Sequence, residues 1–191
     1  MKVVSLLKAV LFTGFIMYSV QLFADTPLSD DAITSKVKMK IAEDPLLKHS
    51  QLNVNVSTDH QVVTYSGVVN SESEASTLVE LAESTVDVKD VNTTDLKVKG
   101  SKQLLSDTYI TAKVKGKFIN EKLFGDKDIS AWDIKVETNN GVVYLTGTTD
   151  SKTQVENAVK LAKAISGVKE VKFRIIVKKG DRVANYEMKN Y

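Results

Sequence analysis

The chain has 191 residues, with 26 Lys+Arg against 24 Asp+Glu and no cysteine. It therefore has no disulfide framework, no thiolate metal site and no cysteine for a lipid anchor. The formal charge of +2 comes from Lys2 and Lys8, and the rest of the chain is neutral but divided: residues 25–100 carry 7 Lys against 13 acids (−6), and residues 101–191 carry 17 Lys+Arg against 11 acids (+6). Oppositely charged halves imply different partners or inter-domain charge attraction.

The first 24 residues combine Lys2 and Lys8 with an apolar run, Ala9 to Val20, and end on Leu22-Phe23-Ala24. That pattern predicts a cleavable signal peptide over 1–24, since the run is short for a membrane span and leads into an acidic segment. The expected address is the periplasm, and the missing cysteine excludes a lipoprotein anchor.

From Ser29 onward the chain repeats one pattern twice. Ser29-Asp30 and Ser106-Asp107 each open a predicted helix, with serine as cap and aspartate complementing the helix dipole. Ile33, Val37 and Ile41 in one copy, and Ile110, Val114 and Phe118 in the other, form the core stripes. Lysines 36, 38 and 40, and 113, 115 and 117, stand between them on a basic face. Strands come next at Leu52–Ser57 and Trp132–Thr138, and Trp132, aligned with Leu52, reads as a core residue.

The segment Asn139-Asn140-Gly141 predicts a tight hairpin turn, because a type I′ turn needs positive φ at both central residues. The returning strands share a valine pair and a closing glycine, Gly67 or Gly147, and Val63, Tyr65, Val143 and Leu145 are assigned to the core. Second helices are predicted over Ser73–Thr85 and Lys152–Ser166, with Gly167 at a left-handed helix end. Final strands run over Asp90–Val98 and Glu170–Lys178. The expected domains are 29–98 and 105–178, joined by a linker over 99–104 and ending in a polar tail over 179–191.

The αββαβ order and the segments Asp107–Lys115, Gly141–Gly147 and Ser166–Val171 resemble BON domains, and the chain from Ser29 to Val177 is similar to two-BON periplasmic proteins. The resemblance implies an α+β fold: two BON modules, each a small three-stranded mixed sheet with two helices on one face. It implies no enzymatic activity, binding to phospholipid or envelope surfaces, and an association with osmotic or envelope stress. A chaperone-like role toward outer-membrane proteins is its other implication. Copy one departs from the pattern where Gln61 and Asp87 replace the turn and helix-end glycines.

Catalytic chemistry lacks residues to carry it. His49 and His60 sit in loop and turn positions without ligand spacing, and no nucleophile elbow, Walker loop or G-x-G-x-x-G is present. No cofactor, metal, small-molecule substrate or nucleic-acid partner is expected. One pattern stands out: Tyr109, Lys113 and Lys117, four apart on the second copy's first helix, form a stripe suited to an anionic phospholipid headgroup layer. The competing partner is an unfolded envelope protein client, held by exposed sheet faces.

Overall fold

The computed structural model describes residues 26–48, 53–101, 105–125, 127–129, 133–179 and 182–187. The signal-peptide segment, His49, Leu52, Trp132 and residues 102–104 of the linker lie outside them. Repeat one runs α1 (Asp30–Glu43), β1 (Asn53–Asp59), β2 (Val62–Val69), α2 (Glu72–Glu83) and β3 (Asp90–Val98). Repeat two runs α3 (Ser106–Phe124), β4 (Ile134–Asn139), β5 (Val142–Thr149), α4 (Lys152–Lys163) and β6 (Glu170–Lys179), then adds β7 (Arg182–Glu187).

In each repeat an antiparallel hairpin is extended by a parallel third strand, giving sheet orders β1-β2-β3 and β4-β5-β6-β7. The crossover before that strand is the second helix, as a parallel pair requires. Both repeats thus carry the expected three-stranded mixed sheet. The tail expectation needs correction, because residues 182–187 pair antiparallel with β6 and bring Tyr186 opposite Ile175 and Ala184 opposite Val177. A segment without an apolar stripe can still join a sheet, since an edge strand's unpaired backbone groups supply partners whatever the side chains.

Each repeat has its own core. Ile33, Val37, Val63, Tyr65, Leu78 and Ala82 are fully buried in one, and Val114, Val143, Leu145, Ala158 and Ile175 in the other. The Tyr65 hydroxyl, which would be costly to bury unpaired, donates to the Leu78 carbonyl at 2.8 Å.

Local chemistry differs from expectation at the helix starts. Ser29 caps α1 by accepting from Ala32 N–H, but Ser106 lies inside α3, whose N-cap position is Leu105 without a side-chain cap. Asp30 and Asp107 do more than complement a dipole. Asp30 accepts the backbone N–H groups of His60 and Gln61, both at 2.9 Å, and Asp107 those of Asn140 and Gly141 at 2.6 and 2.8 Å. Each first helix therefore clamps its own hairpin turn.

That clamp fits the missing glycine in repeat one: His60 and Gln61 hold φ of 48° and 66°, matching 52° and 80° at Asn140 and Gly141. Likewise Asp87 takes φ 66° where Gly167 takes 92°, and its carboxylate accepts Leu28 N–H at 2.8 Å. Gly67 and Gly147 are required for a different reason. At φ 121° and 139° each lies where an added Cβ would collide with a carbonyl oxygen, that of Asn53 on β1 or of Asp133 just before β4.

Candidate functional site between the repeats

Helix α3 has two packed faces. Ile110, Val114 and Phe118 enter the core of repeat two, while Ala112 belongs to the core of repeat one and Tyr109 packs against it. Close approach to α2 depends on Gly116, where an added Cβ would lie 2.5 Å from Glu83 Cβ and 2.7 Å from the Glu80 carbonyl oxygen. Further along, Asn120 Nδ2 donates to the Thr85 carbonyl, which lies just past the end of α2, at 2.6 Å. A mid-helix glycine normally costs about 1 kcal/mol against alanine, so its place here signals a helix crossing.

The expected Tyr109–Lys113–Lys117 stripe lies on this second face, and it is not a solvated lysine face. Lys113 is buried to 8 % exposure, and its ammonium sits 2.6 Å from Asp90 Oδ1 on β3. Tyr109 and Lys117 are half-buried. The Tyr109 hydroxyl oxygen is buried without a hydrogen-bond partner, and burial, reinforced by Glu72, raises its pKa. The stripe fails as an exposed row because the helix carrying it is the one that docks onto repeat one. In repeat one the aligned Lys40 is not a solvated lysine either; it donates to the Ser84 carbonyl at 2.9 Å and to Ser84 Oγ at 3.1 Å, and so caps α2.

Beneath α3 lies Glu83, which sequence reasoning overlooked. It is fully buried, and neither carboxylate oxygen has a hydrogen-bond partner. Burial pushes its pKa up to about 8, opposed by Lys113 and Lys117 and assisted by Asp90. The Val91 N–H, a minor stabiliser of the charged form, donates to Asp90 Oδ1 at 2.8 Å. The acidic residues of α2 meeting the lysines of α3 were visible only as the charge division between the halves.

Tyr109 and Lys113 also wall a crevice of about 620 Å³ between the repeats, whose apolar lining includes Leu96, Val98 and Leu105. Beyond the interface α3 continues into solvent. Lys122 is exposed, and Leu123 and Phe124 are exposed to 59 % and 57 %. Among the described residues, no His, Cys, Asp or Glu cluster is placed to hold a metal ion, and no helix is long and apolar enough to cross a membrane. The expected turn and cap glycines, Gly67, Gly141, Gly147 and Gly167, all take positive φ. His60 is an exposed turn residue, 3.8 Å from Asp59.

The BON domain model matches residues 29–100 and 106–179. Over 149 residues the chain is 37 % identical to osmotically-inducible protein Y of Escherichia coli (strain K12), covering 76 % of this chain and 71 % of that one. It is 30 % identical over 148 residues to the outer membrane lipoprotein DolP of Haemophilus influenzae, covering 76 % and 73 %. A third relative, a 21 kDa hemolysin of Actinobacillus pleuropneumoniae, is 27 % identical over 151 residues, covering 78 % and 74 %. With the αββαβ unit folded twice and both copies matched, the chain belongs to the BON-domain family as a tandem of two BON domains.

Proposed function

We propose that this protein is a non-enzymatic component of the bacterial envelope that docks on anionic phospholipid through its second repeat, using the solvent-projecting end of α3. The observation that carries this reading is the adjacent pair Leu123 and Phe124, exposed to 59 % and 57 % beside Lys122. Phe124 lies seven residues beyond Lys117 and so extends the same helical stripe past the region that α2 covers. An aromatic and an aliphatic side chain at a helix end, with an exposed lysine beside them, suit the boundary between acyl chains and phosphates.

One relative, named as an outer membrane lipoprotein, supports an envelope address, and another, named for osmotic induction, supports a stress context. The predicted signal peptide agrees with export to the periplasm, where stress on the envelope is the expected context. Lys113 takes no part in docking while it remains paired with Asp90.

Cosedimentation of residues 25–191 with phosphatidylglycerol and phosphatidylcholine vesicles tests the proposal. Binding should need the anionic lipid and fall with salt, since each lysine near such a surface contributes on the order of 1 kcal/mol. Leu123→Ser with Phe124→Ser should reduce it at least tenfold, because burying a large apolar side chain is worth roughly 1.5–3 kcal/mol. Undiminished vesicle binding by the double variant would refute docking through this tip. Aggregation suppression without lipid would instead favour client holding.

A further inference from the structure

We infer that the buried cluster of Glu83, Lys113 and Asp90 makes docking of the two repeats proton-dependent, locked while Glu83 is protonated and released when it ionises. The inference is independent of the lipid reading. It starts from geometry: Glu83 is the fully buried charged residue at the α2–α3 crossing, pressed against Gly116, with both oxygens unpartnered. Of the two cations that face it, Lys113 is already committed at 2.6 Å to Asp90, and Lys117 is only half-buried.

Every element around this site contributes a charge. Lys113 and Lys117 face Glu83 from α3, and Asp90 from β3. On α2 itself Glu80 lies one turn back, its own carboxyl raised by burial, lowered by Lys115 and raised by Asp44. From α1, Lys40 is bound to the Ser84 carbonyl and hydroxyl, directed at the α2 terminus. An ionised Glu83 would therefore be a buried carboxylate with a second carboxylate nearby and, as its hydrogen-bonding support, only a Val91 N–H that already donates to Asp90, an arrangement that disfavours charge.

Linkage sets the sign. Docked, Glu83 titrates near 8; undocked and hydrated, near the ordinary glutamate value of 4.5. Below that lower value both forms are protonated and docking has its full strength. Between the two values the undocked form has lost a proton that the docked form keeps, so docking weakens by up to tenfold per pH unit. Above about 8 the weakening stops. Opening uncovers Tyr109 and Lys113, the two residues that docking removes from the α3 stripe.

The chain has no cysteine, so a spin-label pair introduced through Ser57→Cys on β1 and Lys160→Cys on α4, both exposed positions, would report the inter-repeat distance without interference. Between about pH 5 and 9 the docked fraction should fall in the parent protein. In Glu83→Gln it should stay flat, because an uncharged amide of similar shape cannot ionise. Removing the neighbours should move the pH at which the weakening stops, which is set by the docked Glu83, in opposite directions: Lys113→Met upward, by deleting a stabilising cation, and Asp90→Asn downward, by deleting an anion and freeing Lys113 for Glu83. If Glu83→Gln fails to fold by circular dichroism, these two variants decide the matter alone. A flat parent profile, an unchanged slope in Glu83→Gln, or shifts of the same sign in the last two variants would overturn the inference.

Discussion

The two repeats share one chain path but treat their third-strand edges differently. In repeat two the outer edge of β6 is covered by β7. In repeat one the corresponding edge of β3 is blunted from within: an irregularity in register separates Asn92 from Asp95, the Asn92 side chain accepts Thr94 N–H at 3.0 Å, and Ser101 N–H closes a turn on the Val98 carbonyl at 3.1 Å. Bulges and short turns protect edge strands from unwanted pairing as effectively as a covering strand does. A shared chain path thus leaves each repeat to solve its edge with whatever lies beyond it, which is a linker for one and a tail for the other.

The helices differ in the same spirit. Where α3 has Gly116, the aligned residue of α1 is Met39, exposed to 55 %. Where α2 offers Glu80 and Glu83, α4 offers Lys160 and Lys163. The contact between repeats is head-to-tail, a type that propagates from molecule to molecule when both faces remain available. The two remaining faces differ from the joined ones: both are basic, and the first helix has a methionine where close approach requires glycine.

The largest expected effect tests which faces of repeat two are buried. Leu145→Ala empties a fully buried site in repeat two and should cost roughly 2–5 kcal/mol, while Lys115→Ala, on an exposed position, should stay within about 0.5 kcal/mol. Chemical denaturation of both variants measures this. Equal losses would mean that the buried faces have been assigned wrongly. Next in size is Gly116→Leu, which drives a side chain into the Glu80 carbonyl and Glu83 Cβ; overpacking of this kind costs typically about 1–3 kcal/mol. Hydrogen exchange should show the loss as deprotection along α2 and α3, with β5 and β6 still protected. Met39→Leu, its counterpart on the open face of α1, should leave exchange unchanged.

These effects also mark which parts of the molecule were readable in the sequence. Ile33, Val37, Ile110, Val114 and Phe118 recur at helical spacing and Val143 and Leu145 alternate, so the faces that form each repeat's own core are periodic and visible. The face that joins the repeats has helical spacing without an apolar stripe, being made of Ala112, Lys113, Gly116 and Asn120 against Glu83, Asp90 and Thr85. Polar and small residues at helical spacing look like a solvated face until a partner helix is placed on them. For the same reason Lys113 reads as a lipid-facing cation in sequence and is an ion-paired one in the fold. Strand β7 was unreadable because its pairing is supplied by backbone groups on β6 and not by an apolar pattern of its own.

The smallest expected effect concerns the hairpin turns, where the repeats hold one geometry with different residues. Gln61 takes φ 66° at the position where repeat two has Gly141 at φ 80°. A non-glycine residue in this region carries strain of roughly 1–2 kcal/mol, and glycine carries an unfolded-state entropy cost of roughly 0.5–1 kcal/mol. The difference favours Gln61→Gly by roughly 0–1.5 kcal/mol, provided the Asp30 clamp on the His60 and Gln61 N–H groups stays in place. The converse change, Gly141→Gln, should destabilise repeat two by more than this gain, because the new side chain also meets Lys169 at 3.0 Å and the Gly167 carbonyl oxygen at 3.2 Å. Melting both variants alongside Asp30→Ala separates turn strain from the clamp. If Asp30→Ala costs stability and Gln61→Gly recovers part of it, the aspartate is what lets repeat one do without its glycine. If Gln61→Gly is neutral in both backgrounds, the strain at Gln61 is no larger than the entropy cost of glycine and the clamp does not depend on which residue occupies the turn.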